Sequence, residues 1–179
     1  MESVTSSGAA AYPSSAEDPP FHQVLKEFIL AQLDPDMPQI PGNERDPYAS
    51  AIFPDRLYLS ARMLLVPLMR GREPMVRGIT HLVIVHNKDE PHFPVGSSVL
   101  WKPCSSIGDV RREMDEIEPF LRAAFENPAS KVVIMCELGE TRSGTAMCEF
   151  LERYTGLDRE TVFQFVQKQR VRLDPEILR

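Results

Sequence analysis

Val132-Val133-Ile134-Met135-Cys136-Glu137-Leu138-Gly139-Glu140-Thr141-Arg142-Ser143-Gly144 is the stretch whose reading decides the fold. The run Val132 to Met135 is short, uninterrupted and apolar, the pattern of a strand buried on both faces. A polar loop starts at Cys136. Beyond it Ala146, Met147, Phe150, Leu151 and Tyr154 recur on one side of a helix. A strand, a tight loop and a helix N-terminus in this order build an anion site: loop N–H groups converge as a nest, and the helix dipole adds positive potential. Gly139 lies where the backbone must turn sharply and where a side chain would obstruct an approaching anion. Arg142 offers a planar fork for two anion oxygens, which a lysine does not reproduce. The Ser143 hydroxyl can donate to the sulfur of Cys136. A cysteine at the floor of such a site is a candidate nucleophile for a phosphoryl group, because a helix N-terminus and a nearby cation favour the thiolate. The plainer alternative is a βα turn with Cys136 as a small core residue and Arg142 as a solvated charge. That reading leaves Gly139, Ser143 and the strand context as coincidences.

Outward from this segment, apolar runs at Leu57 to Leu59, Leu82 to Val85 and Ser98 to Trp101 read as further strands. Val110, Met114, Ile117, Leu121 and Ala124 recur at helical spacing, with Asp109 as the expected N-cap. Asp158 is placed to cap a last helix, with Leu157 and Val162 as a hydrophobic staple. Ala61 to Arg77 has helical character interrupted by Pro67 and by Gly71 to Pro74, and His86 to Gly96 reads as a polar loop. Phe21, Val24, Leu25, Phe28, Ile29 and Leu33 define an amphipathic helix that ends before Pro35, either packed on the domain or offered to a partner. Asp34 to Pro54 reads as a proline-rich extended connector. Residues 1–20, rich in Ser, Ala, Pro and acids, read as a disordered tail. Strands alternating with helices imply an α/β fold: a mostly parallel central sheet of about four to five strands, flanked by helices and covered on both faces. The Cys136 loop is expected at the C-terminal end of a central strand.

The 179 residues fit one domain with a sizeable core. A formal net charge of −6 argues against a nucleic-acid partner. No run approaches the roughly 20 apolar residues that a membrane span requires, and the N-terminus has no basic start or apolar run of a secretory signal. The 3 cysteines have no metal-like spacing, so no metal is expected and a reducing cytoplasmic or nuclear setting is.

Cys136, Gly139, Arg142 and Ser143 match the signature His-Cys-x-x-Gly-x-x-Arg-Ser/Thr, and by them the chain resembles the dual-specificity branch of the cysteine-dependent protein tyrosine phosphatases. Asp55 to Ser60 resembles that family's first strand, and Gly78 to Val85 the segment leading into its second. Phe165 to Pro175 resembles its terminal helix with a basic end and a following proline. The likeness spans residues 53 to 175. It implies a phosphotyrosine protein phosphatase-like fold, no cofactor and a phosphoprotein substrate. Cys136 would form a phosphocysteine, assisted by Arg142 and Ser143, and Glu137, Leu138, Gly139, Glu140, Thr141 and Arg142 would form the phosphate-binding loop. The chain would then divide into a tail (1–20), a helix and connector (21–52) and a dual-specificity phosphatase-like catalytic domain (53–179).

Three departures from the family pattern stand out. Met135 replaces the histidine, filling its volume without supplying a hydrogen bond. Glu137 and Glu140 put two carboxylates into the loop, which disfavours polyanionic ligands and favours phosphoproteins. The aspartate general acid that the resemblance implies, just after a strand, has Cys104 or Ser105 at its position. Asp109 is the nearest carboxylate, as either a helix cap or a substitute acid. Cys104 facing Cys136 would also permit a reversible disulfide, the alternative being an ordinary loop cysteine. General acid catalysis supplies about 10²–10⁴-fold, so its loss weighs most on phosphoserine and phosphothreonine and least on phosphotyrosine. Two functions remain open: a protein phosphatase for phosphotyrosine, extending to phosphoserine and phosphothreonine, or a pseudophosphatase that binds phosphoproteins with weak or no turnover.

Overall fold

The computed structural model describes residues 19–43, 49–64, 78–87 and 96–179. In chain order its elements are helix α1 (Phe21–Gln32), strands β1 (Ala49–Phe53) and β2 (Leu57–Ala61), a 3-10 turn (Arg62–Leu64), and strands β3 (His81–Val85) and β4 (Ser98–Lys102). Helix α2 (Ile107–Glu126), strand β5 (Val132–Cys136), helices α3 (Arg142–Thr155) and α4 (Arg159–Gln169) and a final 3-10 turn (Pro175–Leu178) follow. The sheet order is β1-β2-β5-β3-β4, so the Val132–Cys136 strand is central. Its neighbours β2 and β3 run parallel to it, as β4 does to β3, and only the edge strand β1 is antiparallel.

Alternation along β5 divides its side chains between two buried layers. Val132, Ile134 and Cys136 face the layer built from α1 to α4, with Leu25, Met114, Ile117, Phe150 and Phe165. Val133 and Met135 face the other layer, with Tyr58, Leu82 and Ile84. All five β5 residues are buried, and this two-sided burial explains why the strand reads as a continuous apolar run. Each fully buried Leu, Ile, Val or Phe contributes about 1.5–3 kcal/mol relative to exposure, so the two layers supply most of the folding energy.

Apart from the Ala61 to Arg77 segment, the strands and helices read from periodicity are present, and every residue of the Val110-Met114-Ile117-Leu121-Ala124 stripe is buried. Helix α1 packs on the domain. Leu25 and Ile29 are fully buried, and the Phe21 ring lies 4.8 Å from Phe125 and 5.3 Å from Phe53. The Arg56 guanidinium lies over the Phe21 ring at 4.1 Å, a cation–π contact.

Two readings need correction. The connector contains β1, which pairs with β2 in antiparallel register with an irregularity between Ala51 and Phe53. A five-residue edge strand after a proline-rich stretch has too little periodicity of its own, and it forms because β2 offers an open edge. The N-cap of α2 is Ser106, not Asp109. Asp109 sits at the third helical position and completes a reciprocal capping box: its N–H donates to Ser106 Oγ at 3.1 Å, and its Oδ2 accepts the Ser106 N–H at 2.9 Å. Asp158 does cap α4, accepting the Thr161 N–H at 2.9 Å. Of the helical reading for Ala61 to Arg77, only the turn Arg62–Leu64 and the strand end at Ala61 fall among the described residues. Most of the tail and of the His86 to Gly96 loop lie outside them.

Candidate active site

Cys136 is the last residue of β5, and α3 starts at Arg142. The loop between them is held by hydrogen bonds from three directions. The Cys136 sulfur accepts the Ser143 hydroxyl at 3.1 Å and the Gly139 N–H at 3.3 Å. Behind the loop, Arg170, itself only 6% exposed, donates from Nε to the Gly139 carbonyl at 3.2 Å and from Nη2 to the Leu138 carbonyl at 3.1 Å. In a trans peptide the carbonyl and the following N–H point opposite ways. Arg170 therefore turns the 138–139 and 139–140 peptides so that their N–H groups face into the loop. On the third side, the Arg62 N–H at the end of β2 donates to the Glu137 carbonyl at 3.2 Å.

Gly139 has φ +71, which a side chain resists. The sharp turn expected at this position is thus present, and a second constraint adds to it. A Cβ would lie 2.6 Å from the Ser60 carbonyl carbon and 2.7 Å from the Ala61 nitrogen, so the end of β2 also demands glycine.

Thr141 precedes the first turn of α3, and its hydroxyl donates to Asp174 Oδ2 at 2.8 Å instead of capping the helix. The N–H groups at this helix end thus keep no side-chain cap, and the dipole faces the loop uncompensated. Arg142 reaches across the site and donates from Nη1 to the Cys104 carbonyl at 3.0 Å. Glu137 pairs with Arg62 at 3.7 Å; with both side chains 36% exposed, this contributes under about 1 kcal/mol but offsets one of the loop's carboxylates. Leu138 is 63% exposed at the loop tip.

The segment at the expected acid position has a different chemistry. Cys104 is fully buried, and burial, with Glu113 and Asp109 adding to it, pushes its thiol up to about 11. Ser105 is exposed, and both its N–H (2.9 Å) and its hydroxyl (2.7 Å) donate to Asp109 Oδ2. Arg112 donates to Asp109 Oδ1. The Ser105 hydroxyl, with the Ser105 and Ser106 N–H groups, holds the Asp109 carboxyl well below the usual carboxylate range. Asp109 is thus fully engaged within the capping box and by Ser105 and Arg112. Cys148 packs behind the loop, where burial pushes its thiol up to about 12. All three thiols are free.

The structure therefore brings Cys136, Gly139, Arg142 and Ser143 together, joined to Cys104 through its carbonyl rather than its sulfur. Met135 lies in the opposite layer from Cys136, so its side chain acts on the sheet, not on the sulfur. Arg62, Arg170 and Asp174 were not anticipated as loop supports. The basic end of the terminal helix, followed by Pro175, was the signal available for Arg170 and Asp174.

No family model matches the chain, and no curated protein matches it in sequence. Solved structures do match. DUSP15 superposes with a TM-score of 0.63 at 19% identity, over 74% of this chain and 84% of that one. The PTP-2 phosphatase of Cydia pomonella gives 0.62 at 22% identity, over 74% and 86%. The human tyrosine phosphatase-like serine/threonine/tyrosine-interacting protein gives 0.54 at 20% identity, over 73% and 89%. The chain has the α/β fold that these phosphatase structures share.

Proposed function

We propose that this chain is a cysteine-dependent protein phosphatase that hydrolyses phosphotyrosine through a phosphocysteine at Cys136, and phosphoserine or phosphothreonine more slowly. The carrying observation is the sulfur at the C-terminal end of the central strand. It accepts the Ser143 hydroxyl and the Gly139 N–H, with Arg142 one helical step away. In the first step the thiolate attacks phosphorus, an S–P bond forms, and the bond to the leaving oxygen breaks. In the second, water attacks phosphorus and the sulfur leaves as thiolate. Loop N–H groups and the Arg142 fork would stabilise the charge developing on the equatorial oxygens.

A second reading, a pseudophosphatase that captures phosphoproteins, is favoured by one observation. The segment Trp101 to Asp109 presents no disengaged carboxylic acid: Asp109 is locked into the capping box. Intact Cys136 and Arg142 favour the enzyme, since a binder has no need of the thiol. In this reading the partner is a phosphoprotein, and the three free cysteines suit the cytoplasm or nucleus.

The test is turnover of p-nitrophenyl phosphate, whose leaving group needs little protonation, against a phosphothreonine peptide. Turnover of the aryl phosphate that disappears in Cys136→Ser supports the enzyme. Binding of phosphopeptide with no turnover of either substrate supports the binder.

A further inference from the structure

Three consecutive residues at the end of α4 hold two distant parts of the chain. Lys168 Nζ donates to the carbonyls of Gln32 at 2.7 Å and Asp34 at 3.0 Å, and the Lys168 carbonyl accepts the Gln39 side-chain amide. Gln169 is 1% exposed. Its Oε1 accepts the Ile40 N–H at 2.9 Å and the Asn43 side-chain amide at 3.0 Å, and its Nε2 donates to Gln32 Oε1 at 3.3 Å. Asn43 in turn exchanges two hydrogen bonds with the Ala51 backbone of β1, at 2.7 and 2.8 Å. The next residue, Arg170, bonds the Leu138 and Gly139 carbonyls of the Cys136 loop. Its own backbone is fixed on both sides: the Arg170 N–H donates to the Val166 carbonyl at 2.8 Å, and its carbonyl accepts the Leu173 N–H at 3.0 Å. Helix α1 and the connector are thus joined to the loop through adjacent residues.

We propose that Gln169 and Arg170 are positioning residues for the reaction at Cys136: Arg170 aims two loop peptides, and Gln169, anchored on α1 and the connector, keeps Arg170 in place. This rests on the phosphatase reading of the site. A guanidinium bond to a carbonyl is charge-assisted, and it polarises the peptide so that its N–H becomes a stronger donor. The Leu138–Gly139 peptide carries the N–H that meets the Cys136 sulfur at 3.3 Å, and the Gly139–Glu140 peptide carries the following one. Donors set toward the loop interior before an anion arrives stabilise the charge that develops on phosphoryl oxygens. The arginine holds this aim only while the helix end that carries it stays still. The Gln169 amide is buried, so a shift of the helix end would leave several polar groups of three segments unpaired, and that cost resists the shift.

The experiment compares Arg170→Gln, Arg170→Lys, Gln169→Leu and Gln39→Ala in the full-length protein, with Arg172→Ala, at an exposed position, as the control. Three quantities are read: the Gly139 and Glu140 amide signals by heteronuclear NMR, vanadate affinity, and kcat and KM for p-nitrophenyl phosphate. Arg170→Gln should move both amide signals and lower kcat by about 10²-fold, with KM changed less, as expected when preorganised donors are misaimed. Arg170→Lys keeps the charge on a single donor head and should recover part of that loss. Gln169→Leu alters the grip on α1 and the connector, yet should move the same signals, weaken vanadate and lower kcat by about tenfold, with Gln39→Ala smaller in the same direction. A merely structural role would lower Tm and leave the loop signals, vanadate affinity and kcat of the folded variants where they are, and that result overturns the proposal. So does an Arg172→Ala protein that matches Arg170→Gln. Where a variant does not fold, its milder companion, Arg170→Lys or Gln39→Ala, decides by the same criteria. An unsubstituted protein without turnover refutes the phosphatase reading; the amide signals and vanadate affinity then still decide the positioning.

Discussion

Arg142 donates a 3.0 Å hydrogen bond to the carbonyl of Cys104, joining the Cys136 loop to the segment where a proton donor is expected. This bond uses one Nη1 of the fork and leaves the guanidinium plane fixed before any anion arrives. Fixing the plane in advance removes part of the entropy cost of binding. Arg142→Lys should therefore lose both vanadate affinity and aryl phosphate turnover, the latter by about 10²-fold or more. A loss below tenfold would show that the backbone N–H groups hold the anion unaided.

The absence of a disengaged acid at Cys104, Ser105 and Asp109 predicts a steep dependence of rate on leaving-group acidity. Ser105→Asp should flatten it, because this position is exposed and can accommodate a charge, and should raise the rate on poor leaving groups by up to about 10²-fold. Cys104→Asp should instead destabilise the protein, because it places a carboxylate in a fully buried site. Asp109→Asn should leave the slope of the leaving-group plot unchanged. A slope that steepens in Asp109→Asn would identify Asp109 as the acid.

Asp109 should reveal itself in stability instead. Its folded carboxyl releases its proton more readily than in the unfolded chain. Its contribution is thus complete above the unfolded carboxyl value of about 3.9, and is lost as pH falls through the lower folded value. Thermal unfolding of Asp109→Asn should show a lower Tm than the unsubstituted protein at pH 7, with the gap narrowing toward acid pH. A gap that does not change with pH would mean that the capping box contributes only through shape.

Gly139→Ala and Gly156→Ala separate backbone strain from collision. Both glycines have a left-handed backbone, φ +71 and +70, which costs an alanine about 1–2 kcal/mol. A Cβ on Gly156 meets nothing within 4 Å, whereas on Gly139 it strikes the backbone of Ser60 and Ala61. Both variants should lose stability by denaturant unfolding, Gly139→Ala more. Only Gly139→Ala should also lose activity, by about 10²-fold for a loop displaced by an ångström.

Alkylation should pick out a single cysteine. Burial pushes Cys104 up to about 11 and Cys148 up to about 12, so neither is ionised at pH 7. Iodoacetate at neutral pH should modify Cys136 alone, and inorganic phosphate should slow it. Peptide mapping by mass spectrometry that finds label on Cys104 would show that its loop opens in solution.

The strand, the loop and the following helix were legible because their signals are local. An apolar run, a Cys-x5-Arg spacing and a helical stripe each lie within a few turns of chain. The same holds for the capping of α4 by Asp158. The capping of α2 was read one turn too late, because Ser106 and Asp109 are both good cap residues and only the observed register separates N-cap from third position. Strand β1 left little trace, since an edge strand needs only a neighbour with an open side.

The sequence by itself determined the order of the strands and helices other than β1, the identities of Cys136, Gly139, Arg142 and Ser143, and the lack of an aspartate at the expected acid position. Tertiary structure decided what holds and surrounds them. Arg170 supports the loop from 31 residues beyond Gly139, and Arg142 meets Cys104 across 38. The close approach of β2 is what requires glycine at 139, and the alternation of a centrally placed β5 turns Met135 away from the sulfur. The physical reason is one of range. Backbone hydrogen bonds and side-chain periodicity act over a few residues and are written in order along the chain. Contacts between distant segments exist only once the buried layers have brought those segments together.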